Sequence, residues 1–127
     1  MKYMLLCYDD EAAWERAGKA ALEAARAEAA ALCCEIDARG QYIEASPLQP
    51  VATATSLRVR AGKRLVTDGP FAETHEQLGG YYLIDVPDLN AAIAIAARHP
   101  GARLGTVEIR PVHELPGLPP APSSSGT

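Results

Sequence analysis

The densest group of chemically capable side chains lies in Val66-Thr67-Asp68-Gly69-Pro70-Phe71-Ala72-Glu73-Thr74-His75-Glu76-Gln77-Leu78-Gly79-Gly80-Tyr81-Tyr82. Asp68, Phe71, Glu73, His75 and Glu76 fall within one short loop. Asp-Gly-Pro is turn chemistry: the carboxylate accepts local N–H bonds, glycine admits positive φ and proline fixes φ. Two readings of Asp68 follow. It caps a turn, or it is a carboxylate stiffened by Gly69-Pro70, half shielded by Phe71 and suited to general-base work. Glu73 and Glu76 are three apart and share a face if a helical turn follows Pro70. His75 is either poised by these acids or simply exposed.

Further candidates flank the loop. Tyr81 and Tyr82 point to opposite faces of a strand, so one packs and the other can offer its hydroxyl to a cleft. Glu108 and Arg110 share a face, either as a solvated pair or lining the same cleft. The working site is Asp68 and Glu76 as acid/base groups, with Phe71, Glu73, His75, Tyr81 and Arg110 as ligand contacts. Arg58, Arg60, Lys63 and Arg64 form a basic hairpin beside the acidic loop, read as a solvated edge or as a docking surface for an anionic partner.

Other chemistries lack their motifs. The chain has no P-loop, no G-x-G-x-x-G, no G-x-S-x-G and no H-E-x-x-H. His75, His99 and His113 lack ligand spacing, so no metal site is expected, and no cofactor. Cys7, Cys33 and Cys34 are odd in number and two are adjacent, which reads as reduced thiols, each a small buried apolar residue. A net charge of −4 over 127 residues gives no basic field for nucleic acid. There is no leader-like segment and no membrane-length apolar run, so the cytoplasm is the expected compartment.

The elements that must position these residues follow from periodicity. Residues 2–8 read as a strand. Asp9, Asp10 and Glu11 start an Ala-rich helix running to about Arg39, split near Gly18, with Leu22, Ala25, Ala29, Leu32, Cys33 and Ile36 on one face. Gly40 ends it. Gln41–Ala45 is a second strand, and Leu57–Arg60 with Lys63–Thr67 form a hairpin around Ala61-Gly62. A non-regular loop runs from Asp68 to about Leu78. Gly79 and Gly80 open the strand to Val86, and a helix from Leu89 to Arg98 follows, with Leu89, Ala92, Ile93 and Ala96 on one face. Thr106–Arg110 closes the series. This order predicts an α+β, ferredoxin-like βαββαβ domain with a hairpin insertion over residues 1–113. Residues 114–127 read as a flexible Pro/Ser-rich tail.

The strands do not alternate as a sheet with one wet face should. Residues 2–8 carry Met4, Leu6 and Tyr8 on one side and Tyr3, Leu5 and Cys7 on the other. Tyr81 and Leu83 oppose Tyr82, Ile84 and Val86 in the same way. Helices cover only one face, so a homodimer closing a dimeric α+β barrel is expected, with the ligand cleft near the dimer seam.

The motif Asp68-Gly69-Pro70-Phe71-Ala72-Glu73-Thr74, continued by Glu76-Gln77-Leu78-Gly79-Gly80-Tyr81-Tyr82-Leu83-Ile84-Asp85-Val86, resembles the YCII-related superfamily in its DGPF branch. Met1–Leu6, Pro47–Thr55 and Val107–Val112 fit the same pattern. The resemblance implies the dimeric barrel. It also implies a small-molecule site or, alternatively, a regulatory partnership with an extracytoplasmic-function sigma factor. Broader relatives thought to be enzymes carry a histidine on the first helix and an aspartate before a proline at the end of the second. Here the first helix has no histidine and the second ends in His99-Pro100, so that pair is not carried over. His75 also stands where the DGPF pattern more often has lysine.

Overall fold

Burial along the first strand alternates residue by residue. In a computed structural model that describes residues 1–120, Tyr3, Leu5 and Cys7 of β1 (Lys2–Asp9) are buried, while Met4, Leu6 and Tyr8 are only half-buried. The same alternation runs through β5 (Gln77–Asp85), where Tyr82 and Ile84 are buried. The remaining elements are α1 (Glu11–Ala17), α2 (Lys19–Ala38), β2 (Tyr42–Pro47), β3 (Thr55–Arg60), β4 (Lys63–Asp68), α3 (Leu89–Arg98) and β6 (Thr106–Pro111).

Four strands form an antiparallel sheet in the order β2-β5-β1-β6. β3 and β4 make a separate two-stranded hairpin. Without that hairpin the order is the ferredoxin-like one, so the fold is α+β as expected. The core lies between one sheet face and the helices: Tyr3, Leu5, Tyr82, Ile84 and Val86 meet Leu32 and Ile36 of α2 and Ala92, Ile95 and Ala96 of α3.

Helix ends follow their capping chemistry. Asp10 accepts from the Ala12 N–H at 3.0 Å and Asp88 from the Ala91 N–H at 2.9 Å, satisfying donors that a helix start leaves free. At the end of α2, Gln41 N–H donates to Ile36 and Gly40 N–H to Asp37, both at 2.9 Å, which is the Schellman pattern. The β3–β4 turn places Ala61 at φ 51 and Gly62 at φ 75; two positive values match the twist of a two-residue hairpin loop.

Three details differ from the sequence reading. β5 starts at Gln77 rather than Gly79, so the preceding loop is shorter. On α3, Ile95 is buried and Ile93 is 47 % exposed, because the helix meets the sheet along 92, 95 and 96. Cys34 is exposed, Cys33 is half-buried and Cys7 is buried, all three as free thiols. Residues 114–120 are exposed; the rest of the expected tail, 121–127, lies outside the described residues.

Candidate functional site

The inner face of α2 changes character along its length. Toward its C-terminal half, Leu32 and Ile36 fill the space above the sheet and are almost fully buried. Toward its start the same face offers a half-buried Leu22 and then Ala25 and Ala29, whose side chains are too small to fill the space down to the strands. The result is a cavity of about 740 Å³ between α1, α2 and the ends of β1, β2 and β5, within the size range of small-molecule sites. Asp9, Tyr82 and His99 line it beside Cys7, Trp14 and Cys33, and Glu11, Glu15, Lys19, Arg26 and Ser46 also border it.

Asp9 ends β1 and accepts the Trp14 indole N–H at 2.6 Å. The bond ties the strand to α1 and sets the only tryptophan at the cavity wall. Burial raises the Asp9 pKa from its ordinary value. The Trp14 bond works against that rise, while the charges of Glu11, Glu76 and Asp10 add to it. Glycines make the space for this residue. A Cβ on Gly79 would stand 3.0 Å from Asp9 Oδ1, and one on Gly105 would come within 2.9 Å of the Asp9 Cα. Glu11 fixes the neighbouring chain: its carboxylate accepts from Val51 N–H at 2.9 Å, and its own N–H donates to Gln77 Oε1 at 3.2 Å.

At the other end of the cavity His99 caps α3. Its Nδ1 lies 2.8 Å from the Tyr82 hydroxyl, and the two rings meet edge to face at 5.2 Å. Burial lowers the His99 pKa, with Glu28 opposing the shift, so the imidazole is neutral near pH 7. Burial also pushes the Tyr82 hydroxyl well above its ordinary value. The phenol therefore keeps its proton and shares one hydrogen bond with the neutral imidazole, whose donor depends on the histidine tautomer. Cys7 is pushed up to about 12, first by burial and then by Asp9. A thiol that stays protonated is a poor nucleophile. The arrangement suits proton exchange with a bound molecule rather than covalent attack by Cys7.

The residues expected from sequence are dispersed. Asp68 ends β4 and is exposed; Phe71 is 79 % exposed and so does not shield it. Glu73 and His75 are exposed as well. The turn is held by Gly69 N–H to Ala54 at 2.7 Å and by the Ser56 hydroxyl to Gly69 at 2.8 Å. Glu76 is half-buried and acts on the cavity through its charge on Asp9. Tyr81 borders the cavity. Arg110 is exposed on β6, in register with Met4.

Asp9 was read in sequence only as helix punctuation, and His99 was set aside for lack of ligand spacing. The available signal was a lone tryptophan five residues after Asp9; nothing in the sequence links His99 to Tyr82, seventeen residues away. Among the described residues no group of three or more His, Cys, Asp and Glu could hold a metal ion, and no helix is long and apolar enough to cross a membrane.

These features belong to a chain of known lineage. The YCII-related domain matches residues 1–116, and the protein is a member of that family. A protein of Rhizobium meliloti, described as uncharacterized, is 38 % identical over 120 residues, covering 88 % of this chain and 92 % of that one.

Proposed function

We propose that the chain binds a small, largely apolar organic molecule in the cavity beneath α1 and α2, and that Asp9 exchanges a proton with it. The observation that carries the reading is a half-buried carboxyl group with a raised pKa set in a cavity whose wall surface is predominantly apolar. Burial that favours the protonated form makes this carboxyl a candidate for passing a proton to or from a bound molecule. Neutral His99 supplies a second polar contact. Glu76 tunes Asp9 from the loop, which links the loop carboxylates to the site.

A thermal-shift screen of a metabolite library on wild type, Asp9→Asn and Asp68→Asn tests this. A ligand at a hundred times its Kd adds about 2.7 kcal/mol. A hit lost in Asp9→Asn and kept in Asp68→Asn supports the cavity. The reverse pattern moves the site to the 68–76 loop. The regulatory reading has the exposed basic hairpin in its favour; association with a sigma factor that weakens on reversing Arg58 and Arg60 would support it.

A further inference from the structure

Positive charge on the helical side of the molecule is matched by acids at every position but one. Arg16 pairs with Asp10, Lys19 with Glu23, Arg39 and Arg98 with Glu35, and Arg103 with Glu28. Among the described residues, Arg26 is the cation of this layer that has no ion-pair partner. The sequence explains why. The helical neighbours three and four positions away are Leu22, Glu23, Ala29 and Ala30, and Glu23 is held by Lys19 at 3.9 Å.

Arg26 borders the cavity under α2. The lining positions of that helix fall in two rows. Ala25 and Ala29 are half-buried and belong to the inner row, whereas Lys19, Arg26 and Ala30, seven and four apart, are exposed on the flank. The flank is therefore the mouth of the cavity, and Arg26 stands on its rim. The lining run of α2 extends from Gly18 to Cys33, about 22 Å at about 1.5 Å per residue. The space is thus elongated, with Arg26 near the middle of its length.

The acids that border the cavity are differently placed. Asp9 already accepts the Trp14 indole N–H, and Glu11 accepts the Val51 N–H. Glu15 lies exposed at the α1 end, where Lys19 also borders the space. Toward the other end the lining groups are Cys33, Tyr82, His99, Pro100 and Gly101, and Arg26 is the nearest formal charge along α2. A guanidinium presents paired donors that fit a carboxylate. One unmatched cation balances one negative charge, and the three acids of the wall repel a second.

We infer that the molecule taken up by this cavity is an elongated apolar monocarboxylate, with its carboxylate on Arg26 at the mouth and its hydrocarbon body laid along Ala25 and Ala29 between Trp14 and His99. This ligand class rests on the cavity being the binding site and adds what selects the ligand there. The apolar wall favours the body, and Arg26 decides between heads of different charge. Because the guanidinium is at the rim, its attraction for the head is screened by salt.

The test is titration of the full chain with decanoate, decanol and decylamine, which share one hydrocarbon body and differ in the charge of the head. Binding is read near neutral pH by calorimetry and by the fluorescence of Trp14, the single tryptophan and a wall of the cavity. Decanoate should bind at least about tenfold more tightly than decanol, and decylamine most weakly. Arg26→Gln should remove the preference for decanoate and leave decanol binding in place, while Arg26→Lys keeps part of the preference. Ala29→Leu, which fills the cavity, should weaken all three probes, with circular dichroism and Tm showing that the variant is folded. Decanol bound as tightly as decanoate, with both lost in Ala29→Leu, overturns the carboxylate inference and leaves the cavity as the site. No binding of any probe overturns both. Decanoate binding that survives Arg26→Gln and is lost in Arg58→Gln/Arg60→Gln places the anion on the hairpin and overturns the inference as well.

Discussion

Gly105 sits between α3 and β6, where the chain passes the end of β1. A Cβ built there lies 2.1 Å from the Tyr8 carbonyl oxygen, 2.9 Å from the Asp9 Cα and 3.0 Å from its Cβ. Ordinary contact begins near 3.4 Å, so Gly105→Ala must open the gap by about 1.3 Å. Two of the three atoms are backbone of a central strand, hydrogen-bonded on both sides, and cannot rotate away. Inserting one methyl into a packed interior typically costs about 1–3 kcal/mol. This overlap against backbone puts Gly105→Ala at or above the upper end, about 3 kcal/mol. For a domain of this size that corresponds to a fall in Tm of about 12 °C. Gly79→Ala is the internal control. Its Cβ meets the Asp9 carboxylate, with Oδ1 at 3.0 Å, and a side chain can swing away. Its loss should stay below about 1.5 kcal/mol, while the Trp14–Asp9 bond is displaced and the single tryptophan's emission shifts. Urea and thermal unfolding, with Trp14 fluorescence of the folded state, measure both. A Gly105→Ala protein melting within about 2 °C of wild type, or a Gly79→Ala loss as large as that of Gly105→Ala, refutes the reasoning.

Other outcomes follow from burial and charge. Ile36→Ala, at a fully buried position, should cost about 2–5 kcal/mol in urea unfolding, whereas Ile93→Ala on the exposed side of α3 should cost less than about 1 kcal/mol. The folded pKa of Asp9 is raised above its ordinary value of 3.8, so above pH 3.8 the unfolded chain binds fewer protons and stability falls with rising pH. Asp9→Asn should therefore be more stable than wild type near pH 7, with the difference vanishing below about pH 3.8. His99 has the opposite sign. Its folded pKa lies below the ordinary value of 6.5, so its contribution is present above pH 6.5 and is lost on acidification below it. Unfolding free energies across pH 5–7 should show that slope in wild type and not in His99→Gln.

The strands, the helices and the insertion were legible because each carries a local signal: period-two apolarity in β1 and β5, capping aspartates at 10 and 88, and paired turn residues at 61 and 62. The site was less legible because the cavity is made by what α2 lacks. Ala25 and Ala29 read as helix formers with an apolar face. Only the distance to the sheet shows that they leave space unfilled. Asp68 drew attention by residue type, yet its turn is exposed in the single chain. Asp9, one of three successive acids at a helix start, was hidden by the commonplace reading of such a run. The choice between Ile93 and Ile95 as the core residue of α3 depended on how that helix is rotated against the sheet, which periodicity leaves open when both positions are isoleucine.

β1 is the second strand from the β6 edge, yet it is the first made. Its partners are residues 77–85 on one side and 106–111 on the other. During synthesis the segment 2–9 therefore leaves the ribosome with two open ladders and stays unpaired until most of the chain has followed. The hairpin over 55–68 pairs only with itself and can close long before. Loop-closure entropy makes such distant pairing slow. β1, with its run of apolar residues, is thus the segment most exposed to misassociation during biosynthesis. Holding translation before residue 111 should leave the nascent chain sensitive to protease throughout the sheet.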